Sequence, residues 1–304
     1  MPWACGPIYA FHPGNGRVGG QNMGPVMISV PHAGRAYSAA MADRSRVPPE
    51  RLMKLEDRYA DRLIAGLLEC GYPALVAHLP RAVIDLNRDP RDIDPKMIAD
   101  IPRHLPIIQT AKQRAGLGLF PRSLPRYGGL WRGAMSWAEA EGRIKLGHEA
   151  YHQRLAEALN HCAAYHDQII LMDVHSMPPL ATMQGDGKRA DVVVGDLYGA
   201  SASSRLSEIA LNVVKAHGLV GALNQPYPGS YVLERHGRPL NGRHAIQLEI
   251  SRDLYLDDSL AEPGEGMAAM QVLLVDMAEQ LTRAVSREPR TSRDDGHGWA
   301  CAAE

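Results

Sequence analysis

The chain has 304 residues, 45% of them hydrophobic and 22% charged, which is enough apolar material for one large buried core or two smaller ones. Its 33 basic and 34 acidic residues leave a formal charge of −1, so no broad electrostatic field favours nucleic acid or an acidic membrane as a partner. No apolar run approaches the roughly eighteen residues of a membrane-spanning helix. The start, MPWACGPIYAFHPGNG, has no basic stretch followed by an apolar one, so no secretory signal is expected. Cys5, Cys70, Cys162 and Cys301 fall in no CxxC or CxxH spacing, which argues against a disulfide framework or a zinc ribbon and suits a reducing cytoplasm. Thirteen histidines make metal or acid–base chemistry worth seeking.

Residues 1–22, rich in Gly and Pro, read as an irregular lead-in, and residues 287–304 as a disordered tail, leaving 23–286 as one domain. Pro25 to Val30 is a short apolar run ending at Pro31, as in a buried strand. From Pro48 to Cys70 the spacing of Leu52, Leu55, Tyr59, Leu63 and Leu67 predicts a helix, stopped by Gly71 and Pro73. Ala74–Ala77 and Ala82–Leu86 read as short strands. The Gly/Pro-rich stretch from Asp89 to about Gly133 is long for a structureless loop, and such loops are usually functional. Trp137 to His166 reads as a long amphipathic helix. Ile169–Val174, Val192–Val194 and Ala245–Ile250 read as strands, and Ala202–His217 and Met267–Ala284 as helices. This alternation predicts an α/β fold, a three-layer α/β/α sandwich with a mixed, mostly parallel sheet.

In such sheets, sites form beyond the carboxyl ends of the strands. Three strand ends carry polar groups a core would not choose: Pro31-His32-Ala33-Gly34-Arg35, Asp173-Val174-His175-Ser176-Met177, and Gln247-Leu248-Glu249-Ile250-Ser251-Arg252. Two histidines and a carboxylate suit a catalytic zinc that keeps a fourth position for water. The acid is open among Glu56, Asp57 and Asp61, which also read as a solvated helix face. Arg81 to Arg88 ends a strand with Asp85, Asn87 and two arginines, either a structural ion-pair network or an anion clamp whose guanidinium forks accept carboxylates.

Taken in order, these segments resemble the N-formylglutamate amidohydrolase (N-formylglutamate deformylase) family. The blocks are Val30 to Gly34; Asp57, Tyr59 and Arg62-Leu63; Arg81 to Arg88; Tyr151-His152; Asp173 to Met177; Asp191 and Gly195; Gly199 to Ser201; Pro226 to Tyr231; His236 to Pro239; and His244 to Arg252. The resemblance implies a fold like that of zinc carboxypeptidases and one Zn²⁺ per chain, held by His32, Asp57 and His175. It further implies Glu249 as general base, and Asn87 and Arg88 gripping a substrate carboxylate. Because N-formylglutamate carries two carboxylates, a second cation is needed; Arg81 is the first choice, with Arg35 and Arg252 as alternatives. The implied reaction is hydrolysis of N-formyl-L-glutamate to formate and L-glutamate, a small-molecule substrate with no nucleic acid or membrane involved. Arg58 stands where the family often has an aromatic residue, and Ser230 where a Gly often precedes Tyr231. Rival readings are an amidohydrolase of this fold acting on another N-acyl amino acid or small peptide, and a non-catalytic binding protein. A serine hydrolase is disfavoured, since no GxSxG elbow is present.

Overall fold

The computed structural model describes residues 2–15, 23–124, 127–181 and 189–286. Its strands are β1 (Tyr9–His12), β2 (Val26–Val30), β3 (Ala74–Ala77), a small hairpin of β4 (Ser123–Leu124) and β5 (Gly128–Gly129), then β6 (Ile169–Met177), β7 (Val192–Gly195), β8 (Gly221–Leu223) and β9 (Arg243–Ser251). Seven of them form one sheet in the order β1-β3-β2-β6-β9-β7-β8. Only the β1–β3 and β7–β9 pairs are antiparallel, so the sheet is mixed but mostly parallel.

Helices cover both faces, and the two-residue period of the strands divides the core between them. Val26, Ile28 and Val30 of β2, with Ile170, Met172 and Val174 of β6, pack towards the helices Ala60–Leu63, Ala65–Cys70, Ser204–Ala216 and Met267–Ser286. Met27, Leu171 and Ala245 pack on the other side, towards the helical run from Trp137 to Ala163 and the helix Tyr231–His236. The three-layer sandwich expected from the sequence is therefore the fold.

The departures are local, and they shape the site. The helix expected over 48–70 is broken: Pro49–Leu52 leads into a 3₁₀ turn at Met53–Leu55, and helix resumes only at Ala60. Leu52 and Leu55 join a small cluster with Ala82 and Leu130, whereas Leu63 and Leu67 enter the main core, so one apolar spacing serves two cores. Between them Tyr59 adopts φ 60, which reverses the chain and presents Asp57 to the sheet end. The strand expected over 82–86 is a series of turns. Val83, Ile84 and Leu86 all bury in one cluster, and the Asp85 amide donates to the Leu119 carbonyl at 2.8 Å rather than to a neighbouring strand. The helix from Trp137 carries a π-helical segment at Ile144–Glu149, which rotates the following side chains relative to a uniform helix. The lead-in expected to be irregular contributes β1, paired to β3, and the buried Trp3. The short β8 and the helix Tyr231–His236 were not legible in the pattern. The expected tail, 287–304, with Cys301, lies outside the described residues.

Candidate active site

His32 follows the end of β2, where the chain turns tightly against Leu79. A Cβ at Gly34 would lie 2.3 Å from the Leu79 carbonyl carbon, so only glycine lets the turn close there. The Asp57 amide donates to the His32 carbonyl at 3.0 Å, which ties the broken-helix segment to this turn. His175 lies on β6, directly opposite Glu249 of β9 in the register, as Asp173 is opposite Gln247. These side chains occupy the face shared by Leu171 and Ala245, at the carboxyl end of the sheet.

His32, Asp57 and His175 offer donor atoms all within 4.8 Å of one another, and all three residues are buried. Asp57 Oδ2 lies 2.8 Å from His175 Nδ1 and 3.3 Å from His32 Nδ1. The outward-facing nitrogens are fixed from behind: His32 Nε2 donates to Asp85 Oδ1 at 2.7 Å and His175 Nε2 to Asp173 Oδ2 at 2.8 Å. With those protons on Nε2, each Nδ1 is a bare acceptor facing a carboxylate oxygen. His32 Nδ1 has no hydrogen-bond partner although it is buried. Facing acceptors in a dry site need a cation between them, and two imidazoles plus a carboxylate, with carboxylates behind the imidazoles, suit zinc.

The other oxygen of Asp57 is held by Arg252 Nη2 at 3.3 Å, and Arg252 Nε donates to Ser176 Oγ at 3.1 Å. Burial pushes the Asp57 carboxyl up, but the adjoining rings of His175 and His32, when they carry protons on Nδ1 in the absence of a cation, outweigh it and hold Asp57 far below the usual carboxylate range. The two neighbouring acids are committed elsewhere. Glu56 accepts from Tyr37 and Arg58, and Asp61 makes a two-point contact with Arg35. The structure thus brings Asp57 to the histidines and keeps Glu56 and Asp61 away; Arg35 is likewise spent on Asp61.

Beside the triad opens a cavity of about 350 Å³ lined by His32, Asp57, Arg81, Asn87, Arg88, His175, Gln247, Glu249 and Arg252, among others. Glu249 Oε1 accepts from Gln247 Nε2 at 3.0 Å. Burial raises the Glu249 carboxyl to about 7, the Coulomb attraction of His175 opposing it. Asn87 is in the wall with its amide already engaged: Oδ1 accepts from the Val232 amide at 2.9 Å, and Nδ2 donates to Gln247 Oε1 at 3.2 Å. Arg88 donates to Ser230 Oγ at 2.8 Å and to the Leu117 carbonyl at 3.1 Å. Arg81 Nε is paired with Asp85 Oδ2 at 2.8 Å, so Arg81 serves a structural ion pair while it also lines the cavity.

Sequence reasoning gave no role to Asp173, Gln247, Lys54 or Lys112. The first two were legible in principle, because each stands two residues before a site residue on the same strand face. The lysines reach the cavity from a 3₁₀ turn and a one-turn helix, too short to carry a pattern. Trp131 and Trp137 are not in the cavity wall; they pack beside the second core.

Behind Asn87 lie three buried histidines. His152 Nε2 donates to the Leu86 carbonyl at 2.8 Å, so its Nδ1 accepts from His236 Nε2 at 3.0 Å; His148 Nε2 donates to the Arg88 carbonyl at 2.8 Å. Each is held neutral by burial, His148 at about 4, His236 at about 3 and His152 well below its ordinary value. Together they clamp the carbonyls on either side of Asn87.

Comparison with known proteins follows the same lines. The N-formylglutamate deformylase of Pseudomonas aeruginosa is 30% identical over 268 residues, covering 87% of this chain and 90% of that protein. That of Pseudomonas putida is 28% identical over 272 residues, covering 85% of this chain and 96% of that protein. The crystal structure of N-formylglutamate amidohydrolase from Ralstonia eutropha superposes with a TM-score of 0.83 at 28% identity, covering 92% of this chain and 99% of that one. The family model for N-formylglutamate amidohydrolase matches residues 24–256, a span that contains the triad, Asn87, Arg88 and Glu249, and the chain therefore belongs to the N-formylglutamate amidohydrolase family.

Proposed function

We propose that this protein is a zinc-dependent amidohydrolase that cleaves N-formyl-L-glutamate into formate and L-glutamate. The observation that carries the reading is the convergence of two imidazole acceptors on Asp57 Oδ2 beside a buried Glu249. The names of the relatives support the substrate. His32, Asp57 and His175 would hold one Zn²⁺, which supplies Lewis acidity for the formyl carbonyl and lowers the pKa of a water towards about 7.

The chain's own groups do the rest. Glu249 takes the proton of the attacking water and returns it to the departing amine nitrogen. Its burial suits both halves, because a carboxyl held near 7 gives up a proton as readily as it accepts one. Gln247 orients Glu249 through its amide, and Asn87 orients Gln247. Arg88, on the cavity wall, receives a substrate carboxylate, and Arg81, tethered through Nε, adds positive charge where the carbonyl oxygen becomes an anion. The three described cysteines are free, in keeping with a reducing cytoplasm.

The test is to incubate purified protein, with its zinc content measured, with N-formyl-L-glutamate and a panel of other N-acyl amino acids while following formate and free amine. Stoichiometric release of formate and glutamate, lost on chelation and restored by zinc, is the expected result. Preferred turnover of a bulkier acyl group, or of a small peptide, would overturn the substrate; full activity without metal would overturn the mechanism.

A further inference from the structure

Five cationic side chains line the cavity, Lys54, Arg81, Arg88, Lys112 and Arg252, against two carboxylates, Asp57 and Glu249. Their commitments differ. Arg81 is paired with Asp85, and Arg252 with Asp57. Arg88 is anchored through Ser230, Leu117 and its own neighbour's carbonyl. Lys54 stands exposed on the 3₁₀ turn at Met53–Leu55, at a mouth it shares with a second surface depression. Lys112 is exposed like Lys54, and neither ammonium has a hydrogen bond or ion pair among the described residues; what sets Lys112 apart is its nearness to Arg88 and a firmly placed backbone.

That placement comes from the long segment after Asp89. Thr110 caps the short helix Ala111–Arg114, accepting from the Gln113 amide at 3.0 Å, and donates its own hydroxyl to Asp92 at 2.9 Å. Gln113 Nε2 donates to the Ile93 carbonyl at 3.2 Å. The Leu117 amide donates to the Lys112 carbonyl at 2.8 Å, and the Leu117 carbonyl accepts from Arg88 Nε at 3.1 Å. Lys112 and Arg88 are thus two cations on one wall, joined through a single residue. Desolvation, with Arg88 and Arg81 nearby, lowers the Lys112 ammonium from its ordinary value, and the more distant carboxylates Glu249 and Asp85 oppose it.

We propose that Lys112 is the residue that selects a dicarboxylate substrate: with Arg88 on one carboxylate, the Lys112 ammonium binds the second, side-chain carboxylate. This rests on the proposed amide hydrolysis for its choice of probes. Lysine suits the role as a mobile point charge that meets an incoming anion at the cavity rim. Arg81, Arg252 and Arg35, the earlier candidates for the second carboxylate, each already hold an ion pair, with Asp85, Asp57 and Asp61 respectively.

The test compares wild type, Lys112→Met, Lys112→Arg and Lys54→Met, all zinc-loaded and checked for unchanged melting. Steady-state kinetics with N-formyl-L-glutamate and N-formyl-L-glutamine are paired with calorimetric titrations of L-glutamate and L-glutamine. The two members of each pair differ by one negative charge. Lys112→Met is expected to raise KM for N-formyl-L-glutamate by about 10- to 100-fold while changing kcat/KM for N-formyl-L-glutamine by less than about threefold. Lys112→Arg should retain most of the preference. A preference that survives in Lys112→Met, an equal loss on both substrates, or collapse in Lys54→Met instead would overturn the assignment. If neither substrate is hydrolysed but calorimetry shows a glutamate preference that Lys112→Met removes, the proposed reaction fails and the role of Lys112 stands. Absence of any glutamate preference in the wild type removes the role of Lys112, whatever the turnover.

Discussion

Each atom of the Asp57 carboxylate has a separate task. Oδ2 faces the two histidines, and Oδ1 is turned away by Arg252. Replacing His32, His175 or Asp57 by Ala should abolish metal binding at stoichiometric zinc, since a catalytic site has about three protein ligands and none in reserve. Zinc content measured on the purified variants checks this. Asp85→Asn is subtler, because it keeps the shape and weakens the acceptor behind His32; metal affinity should fall about 10- to 100-fold, read by competition with a chelator. Glu249→Gln should keep zinc and substrate affinity while kcat falls about 10²- to 10⁴-fold. Because Glu249 must be ionised to accept a proton and burial raises it to about 7, kcat/KM should decline on the acid side, below about 7. A bound dication favours the carboxylate and can only move that limb lower. A pH profile measured on wild type should show the limb, and the residual rate of Glu249→Gln should lack it.

At the scale of elements, the site is held by close approaches and by buried neutral groups. Gly34→Ala puts a methyl into the Leu79 backbone, so the turn carrying His32 must move; a loss of about 1–3 kcal/mol is expected in a denaturant melt, together with weaker zinc binding. His148, His152 and His236 sit behind the Leu86–Arg88 segment with depressed pKa values. The folded protein keeps them neutral where the unfolded chain would protonate them near 6.5, so the unfolded state binds more protons as pH falls. Their stabilising contribution is complete above about 6.5 and diminishes as pH drops towards the folded values, by roughly 1.4 kcal/mol per pH unit for each histidine. Urea midpoints measured from about pH 7 down to about pH 5 should fall accordingly. The slope should be shallower in His148→Gln by about one histidine's share; an unchanged slope would show that His148 titrates alike in both states.

For the whole molecule, the strands that carry the site were legible because β2, β6 and β9 are central and buried on both faces, which writes them as near-continuous apolar runs. Polar residues at the ends of such runs, His32, His175 and Glu249, therefore stood out. Edge elements such as β1 and β8 left no such trace, since a short strand with one neighbour needs little apolar sequence. Helical periodicity over 48–70 misled for a different reason. It reports that side chains are buried at a given spacing, not that they bury in the same core.

The sequence by itself determined the layered α/β architecture and placed two histidines and a glutamate at strand ends, because each is encoded in a run of neighbouring residues; the expectation for Asn87 and Arg88 came with the family resemblance. Only the tertiary structure decided which acid joins the histidines. Glu56, Asp57 and Asp61 are chemically near-equivalent in sequence, and what separates them is the chain reversal at Tyr59 and the distant partners Tyr37, Arg58, Arg35 and Arg252. The same holds for the cations of the cavity. Arg81 and Lys112 differ in availability because Asp85 is ion-paired with one guanidinium while the ammonium makes no ion pair among the described residues, a difference set by packing between segments far apart in the chain.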